Sequence, residues 1–304
     1  MIGEKYIMDK AILSFCTGEL YWEFARFAPY ILWKKLKQYK NQNVKFIIMT
    51  DPERFDIYGK YVDIFVPFRI SDPIKYRQNC FRLDNLEQEE YLEIINSYKK
   101  QFKDRYEVLE TIYPKTDRKN FSNKNQFLLE KMIFDYLPRV ENSNILNKYI
   151  NNEKSIIILA PRFRCNMPRN WNNWNELYDL ISDNSILMDK YNFVICGNYP
   201  DYIPDKKNRF FDINLFKRDR INSSIIGLTI ECMNKAILTV GSQSAIPNIS
   251  LLFGVHALEW GHQKQLHTVN YNIRNTQVTF LEDMNYDIPA KRVYDELLRI
   301  LKGN

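Results

Sequence analysis

Cysteine and histidine are scarce in this sequence, and neither is spaced as a metal site would require. The five cysteines among the 304 residues lie far apart without a CxxC pair, which argues against both a zinc site and a disulfide framework. The three histidines (His256, His262 and His267) show no HExxH-like spacing. No Asp-x-Asp triplet occurs either, so the closely spaced carboxylates that a divalent cation usually needs are missing. We therefore expect no metal and no cofactor.

Long apolar runs are absent as well. No stretch approaches the roughly 18 residues that a membrane span needs, and the N-terminal MIGEKYIMDK lacks the positive-then-apolar layout of a signal peptide. We expect a cytoplasmic protein, with peripheral contact at the inner face of a membrane left open. Neither a Walker loop nor a GxGxxG fingerprint follows the first predicted strand, which disfavours nucleotide hydrolysis and dinucleotide binding.

The charge of the chain bears on its partners. The formal net charge of +6 is mild, and acidic residues are mixed in along most of the chain. A nucleic-acid binder usually concentrates its basic residues, so nucleic acid is disfavoured as a partner. Phosphate-bearing small molecules or an anionic membrane surface suit the charge better.

The sequence does contain a regular alternation of short β-branched runs with longer amphipathic stretches. This alternation predicts βαβ units and parallel sheets, and the length suits two domains of about 150 residues. A polar, asparagine-rich segment over 138–152 sets the predicted boundary. The predicted fold is therefore α/β, with two Rossmann-like domains over 1–149 and 150–304 whose parallel sheets face a central cleft. The last helix (289–302) is left open to pack back on the N-terminal domain.

The individual elements follow from the same pattern. Predicted strands cover 11–15, 44–49, 62–66, 155–160, 192–196, 236–240 and 255–260. Predicted helices cover 21–39, 87–105, 126–137, 174–182, 221–234, 245–253 and 289–301. Because open α/β sheets bind ligands at the carboxyl ends of their strands, the loops after the strands are the places to look for chemistry.

The loop after the strand 236–240 carries the most informative residues. Gly241 permits a tight exit from the strand, and Ser242 or Ser244 can cap the helix that follows. Free N–H groups at a helix N-terminus attract anions, and the helix dipole contributes about 0.3–1 kcal/mol. A diphosphate would fit there, although an ordinary serine cap on a core helix is the alternative.

Two further loops carry charged candidates. Arg162, Arg164 and Arg169 follow the strand 155–160, and the guanidinium fork matches phosphate oxygens. Their alternative is a solvated basic loop paired with nearby acids. In the first half, Glu19 follows Gly18 after the strand 11–15 and could deprotonate an acceptor hydroxyl. Its alternative is to stabilise the first turn of its own helix.

Four segments, in this order, resemble glycosyltransferase family 9, the heptosyltransferase-like enzymes with a GT-B fold. Gly18 and Glu19, with Pro29 ten residues on, resemble the family's Gly-Asp loop and the helix after it. The segment YVDIF over 61–65 is similar to its third strand. The segments 161–177 and 236–254 resemble its basic loop ending in a tryptophan and its phosphate turn with a small-residue helix.

The resemblance implies inverting sugar transfer from a nucleotide-diphosphate donor, without metal, in glycan or glycolipid assembly. Glu19 would replace the family's aspartate as the catalytic base, with Thr17 and Gly18 in the same acceptor-side loop. The donor would bind the C-terminal domain through the three arginines and the turn. Implied donor-binding residues are Arg162, Arg164, Arg169, Gly241, Ser242, Gln243, Ser244, Ala245 and Asn248. The partners would be a nucleotide sugar and a glycan, glycolipid or small-molecule acceptor.

The turn departs from the family pattern at three positions. The family commonly has Gly-Asn-Asp-Ser-Gly with a histidine shortly after, whereas this chain has Gln243 for the aspartate, Ala245 for the second glycine and Asn248 for the histidine. Glutamine keeps a hydrogen-bonding group but loses the charge, so we expect different sugar contacts. ADP-heptose is therefore not assumed as the donor.

Several alternatives remain at the level of sequence. A nucleotide-sugar epimerase can share this architecture, and a degenerate, non-catalytic binding module would explain the altered turn. His262, just beyond a predicted strand, could reach the donor or lie on the surface. The aromatic-rich first helix could rest on a membrane interface, or its aromatic residues could belong to the core.

Overall fold

A computed structural model of the chain shows an α/β protein that divides into two compact units, residues 1–138 and 139–304. The structure describes residues 8–16, 20–67, 87–112, 146–162, 170–197, 209–214, 225–270 and 272–303. The boundary between the units falls outside the described residues, as does the predicted helix 126–137. Each unit contains its own sheet, and each is described by itself below.

The first unit is built on a four-stranded sheet in which every strand pair is parallel. Its strands are β1 (Asp9–Phe15), β2 (Val44–Thr50), β3 (Ile64–Pro67) and β4 (Tyr106–Ile112), in the spatial order β3-β2-β1-β4. The inner strands β1 and β2 are almost continuously buried because helices cover both faces of such a sheet.

Helices connect these strands. A helical stretch over residues 20–38, here α1, alternates α-helical Leu20–Trp22 and Ala28–Trp33 with π-helical Glu23–Phe27 and Lys34–Gln38. Short helical turns at Pro52–Arg54, α2 (Phe55–Tyr58) and Gly59–Tyr61 link β2 to β3, and α3 (Glu87–Lys103) precedes β4. The aromatic side chains Tyr21, Phe24 and Phe27 of α1 are buried in this unit.

The second unit is built on a six-stranded parallel sheet. Its strands are β5 (Ser155–Ala160), β6 (Tyr191–Ile195), β7 (Phe211–Asp212), β8 (Ala236–Ser242), β9 (His256–Gly261) and β10 (Val278–Glu282), in the order β10-β9-β8-β5-β6-β7. The chain winds outward from β5 in one direction to β7 and then returns to β8 on the other side. The topological switch point, where open α/β sheets bind ligands, therefore lies between β5 and β8.

The helices of the second unit are α4 (Trp174–Ser182), α5 (Ser185–Lys190), α6 (Ile225–Lys235), α7 (Ala245–Leu252) and α8 (Ala290–Gly303). Short helical turns also occur at Leu146–Lys148 and Leu266–Asn270. One face of the sheet forms a core with α4 and α8. The closing helix, for which the sequence left open a return to the first domain, buries Val293, Leu297 and Ile300 in this core.

The parallel α/β fold predicted from the sequence is confirmed, and the predicted elements that lie in the described residues agree closely with it. Three strands and one helix were missed: β4, β7, β10 and α5. The difference in boundaries that bears on the site is at β8, because Gly241 and Ser242 still belong to this strand rather than to a turn after it. No described helix is long and apolar enough to span a membrane.

Candidate functional site

The carboxyl ends of β5 and β8 meet at the switch point, and two small residues allow their close approach. Ala160 ends β5 and pairs with Gly241 of β8. A Cβ on Gly241 would lie 2.9 Å from the carbonyl oxygen of Ala160 and 3.1 Å from the Pro247 ring. Glycine is therefore required at 241 for this contact, and not for a left-handed turn.

The end of β8 leads directly into α7, so the N-terminus of that helix lies at the edge of the sheet. Ser244 is the N-cap residue with extended backbone angles, but its side chain makes no capping hydrogen bond. The predicted serine cap is therefore wrong for Ser244. At the start of this helix the Asn248 N–H donates back to Ser244 O at 3.4 Å. Pro247 carries no N–H, so the helix offers those of Ala245 and Ile246.

Polar side chains around this helix start are buried with unmet hydrogen-bonding capacity. Ser242 Oγ, Gln243 Nε2 and Asn248 Oδ1 are enclosed and meet no hydrogen-bond partner in the described part of the chain. An unsatisfied buried polar atom costs about 1–3 kcal/mol, and such groups call for a ligand or ordered water. Three of them within one short segment mark this segment as a candidate binding site.

The Gln243 side chain is supported from two other loops. Tyr286, in the loop between β10 and α8, donates its hydroxyl hydrogen to Gln243 Oε1. Gly261, at the end of β9, has a φ of +149°, and a Cβ there would lie 2.5 Å from Gln243 Oε1. Sequence reasoning missed both residues, because neither belongs to a motif and both act through a side chain distant in sequence.

A cavity of about 690 Å³ opens at the carboxyl ends of β9 and β10. Its lining is polar and includes His262, Lys264, Thr268, Asn270 and Glu282. The His262 ring, which lines the cavity, packs edge-on against Tyr286, with ring centroids 5.5 Å apart. His262 itself is exposed.

One wall of the cavity rests on a buried contact between a histidine and a carboxylate. Thr268 and Asn270 belong to the turn Leu266–Asn270, in which His267 is buried with its Nδ1 2.9 Å from Glu259 Oε2. Glu259 is fully enclosed on β9. Burial raises the pKa of the Glu259 carboxyl, and the contact with His267 offsets part of this rise.

The basic loop after β5 is described only at its two ends. Arg162 is half-buried directly after the strand, whereas Arg164 and Arg169 lie outside the described residues. At the far end, Trp171 packs against Trp174 and Trp260 with centroids 5.1 and 4.6 Å away. Its indole N–H donates to Ile288 O at 2.7 Å. Trp171 is thus an anchor in the core and not an exposed sugar platform.

The candidate base of the first unit cannot be located in the structure. Thr17, Gly18 and Glu19 lie outside the described residues. One helical turn further on, however, Glu23 is fully buried and accepts hydrogen bonds from Thr50 Oγ1 at 2.8 Å and Tyr58 OH at 2.6 Å. Arg54 completes this buried cluster through an ion pair with Glu23.

The Glu23 cluster lies near the carboxyl ends of β1 and β2, and sequence reasoning missed it. Burial lowers the pKa of Arg54, but the charges of Glu23, Cys16 and Asp51 together with the hydrogen bond to Glu23 exceed this effect, and the pKa is raised. Burial and the Glu23 charge raise the pKa of Tyr58 well above its usual value. The signal in the sequence was a carboxylate at 23 within an otherwise apolar, aromatic helical stretch.

Among the side chains that the structure describes, no group of three histidine, cysteine, aspartate or glutamate residues could hold a metal ion. The expectation of metal-free chemistry stays a prediction.

Comparisons with known proteins bear on the fold. No protein-family model and no curated protein matches the sequence. Among solved structures, a glycosyltransferase family 9 protein from Veillonella parvula matches with a TM-score of 0.53 at 11% identity, over 98% of this chain and 99% of its own. ADP-heptose lps heptosyltransferase II of E. coli matches with a TM-score of 0.55 at 10% identity, over 97% of this chain and 99% of its own.

A third match points the same way. An E. coli heptosyltransferase with ADP-2-deoxy-2-fluoro heptose has a TM-score of 0.50 at 8% identity, over 95% of this chain and 99% of its own. At such low identity the likeness concerns the fold alone. Within that limit the resemblance seen in the sequence is confirmed: this chain has the GT-B fold of the glycosyltransferase family 9 enzymes.

Proposed function

We propose that this protein is an inverting, metal-independent glycosyltransferase that moves a sugar from a nucleotide-diphosphate donor to an acceptor hydroxyl. One observation carries the proposal. In a fold shared with glycosyltransferases, the helix start at the switch point is surrounded by buried polar atoms that find no partner among the described residues, namely Ser242 Oγ, Gln243 Nε2 and Asn248 Oδ1.

A diphosphate is the ligand that this segment suits best. The N–H groups of Ala245 and Ile246 and the dipole of α7 favour an anion, with the dipole contributing about 0.3–1 kcal/mol. Arg162 begins the neighbouring loop, and Arg164 and Arg169 follow in the sequence. Guanidinium groups bind phosphate oxygens in two-point fashion, so this loop would stabilise the charge that develops on the leaving diphosphate.

The reaction we propose needs one base and one leaving-group site. The acceptor oxygen attacks the anomeric carbon while the bond between that carbon and the diphosphate oxygen breaks. Glu19 takes the hydroxyl proton, and the nucleoside diphosphate leaves with the electron pair. Attack from the face opposite the leaving group inverts the anomeric configuration.

The acceptor and the cellular site are further parts of the proposal. We propose a glycan, glycolipid or small-molecule acceptor for the first unit and a cytoplasmic location. For α1, burial of Tyr21, Phe24 and Phe27 means that these side chains belong to the core and are not available for membrane contact.

The first experiment is a thermal-shift panel of nucleoside diphosphates and nucleotide sugars, each with and without chelator. We expect one diphosphate to raise the melting temperature in both conditions, since a ligand at a hundredfold excess over its Kd stabilises by about 2.7 kcal/mol. Stabilisation lost on chelation would contradict metal-free binding. The absence of any response would favour the degenerate binding module.

The second experiment tests the base. Glu19→Gln should abolish sugar transfer and leave the Kd of the donor unchanged, because the amide cannot accept the proton. Glu107→Gln, which changes an exposed carboxylate of the same unit, is the matched control and should transfer normally. Near-normal transfer by Glu19→Gln would refute the assignment. Conversion of the donor without any acceptor would identify an epimerase instead.

A further inference from the structure

We propose that Tyr286 is a positioning residue that fixes the Gln243 amide so that its N–H donates to an oxygen of the bound diphosphate. This inference deepens the proposed function and rests on it. In this role a neutral amide donates a hydrogen bond to an anionic oxygen at the start of α7.

The orientation of the amide follows from its surroundings. Tyr286 donates its hydroxyl hydrogen to Gln243 Oε1, which occupies the carbonyl end of the amide. The opposite end, Nε2, is enclosed and meets no partner among the described residues. Gly261 leaves the space that the amide occupies, since a Cβ at 261 would lie 2.6 Å from Gln243 Cδ. The available group is thus a donor, which an acceptor atom of a ligand would satisfy.

Tyr286 is itself held firmly. It is only 3% exposed and has a φ of 56°, in the left-handed region that bulky residues rarely adopt. Such a conformation persists only where the surroundings impose it. Here the loop is tied by Asp283 N, which donates to Gly261 O at 2.8 Å, and by Ile288 O, which accepts from Trp171.

The chemistry favours an anionic oxygen. An N–H bond to a charged oxygen is shorter and roughly twice as strong as one between neutral groups. A carboxylate at 243 could donate to such an oxygen only when protonated. The amide donates at every pH, so the affinity of the wild type should carry no titration from this position.

The test compares Tyr286→Phe and Gln243→Glu with the wild type by calorimetric titration. The probe is the nucleoside diphosphate that gives the largest thermal shift in the panel. Tyr286→Phe keeps the ring against His262 and removes only the hydroxyl, so we expect a Kd about threefold to tenfold weaker. Tyr294→Phe is the matched control, because the Tyr294 hydroxyl is bonded to Asn184 instead, and it should bind as the wild type does.

The pH profile separates this role from a purely structural one. For Gln243→Glu we expect at least about tenfold weaker binding at pH 8 and a return toward the wild-type Kd at pH 5, where the carboxyl can be protonated. Tyr286 contacts Gln243 directly, and the His262 ring packs against Tyr286. Variant and wild type are compared at the same pH, so the difference in Kd reports the change made at position 243.

The outcomes distinguish this inference from the function on which it rests. If the wild type binds the diphosphate and both variants bind it equally well at every pH, only the role of Gln243 and Tyr286 is overturned, and a buried water then satisfies Nε2. If the wild type binds no diphosphate at all, the proposed function falls together with this inference.

Discussion

The Glu23 carboxylate shows how a single residue organises the first unit. Thr50, Arg54 and Tyr58 all direct donors at it, so both oxygens of this fully enclosed carboxylate have partners. The raised pKa of Tyr58 keeps its phenol protonated and able to donate. Removing one partner of a buried ion pair is costly because the remaining charge stays in the interior.

We therefore expect Glu23→Gln to lower the free energy of unfolding by about 3 kcal/mol, since Arg54 then loses the charge of its buried Glu23 partner. Urea denaturation followed by circular dichroism measures this change. Asp295→Asn makes the same chemical change in the exposed Lys291–Asp295 pair and should cost less than about 0.5 kcal/mol. Equal costs for the two variants would show that the cluster contributes nothing specific.

Residues of the candidate site differ in how far the sequence could reveal them. Gln243 and Asn248 were predicted because a family pattern drew attention to the loop after β8. Tyr286 and Gly261 escaped notice, since their importance comes from contacts with Gln243 that only the folded chain creates. Glu23 escaped for the same reason, because its three partners come from the segment 50–58.

At the scale of elements, the strands that the sequence missed share one property. β4, β7 and β10 are all edge strands of their sheets. An edge strand is buried less completely, so its residues mix polar and apolar types and lose the continuous apolar run of an inner strand. β4 shows this directly, because Glu107 and Leu109 are exposed while Ile112 is buried. By contrast, the inner strand β5 has a continuous apolar run and was predicted at its observed residues.

Glycine at the end of β6 sets how closely this strand approaches its neighbour. A Cβ on Gly197 would lie 2.1 Å from the carbonyl oxygen of Pro161, which directly follows β5. Because the clashing atom belongs to the backbone, the strand ends would have to separate.

Gly197→Ala should therefore destabilise the protein by about 1–3 kcal/mol, the usual cost of forcing an extra carbon into a packed region. Thermal unfolding measures the effect. Gly303→Ala, at the end of α8 with no atom within 4 Å of the added carbon, is the matched control and should be neutral or slightly stabilising. A neutral Gly197→Ala would mean that the strand ends adjust freely.

At the scale of the whole molecule, the two units repeat one arrangement. In each sheet the first strand is central, the second and third extend to one side, and the fourth returns to the other. The sequence predicts this doubled α/β pattern well. Inner strands and amphipathic helices each have a characteristic spacing of apolar residues, and this spacing can be recognised within a short segment of sequence. Strand order depends on contacts between distant segments, and the sequence predicts it only through the family resemblance.

The anchoring of Trp171 has a consequence for engineering. The segment 163–169 joins the end of β5 to an indole that is locked into the core by Trp260 and by the Ile288 carbonyl. The positions of its two ends, at β5 and at Trp171, are thus fixed by contacts made outside the segment. Libraries that vary its length and composition between these fixed ends would test the proposed role of the segment in donor binding.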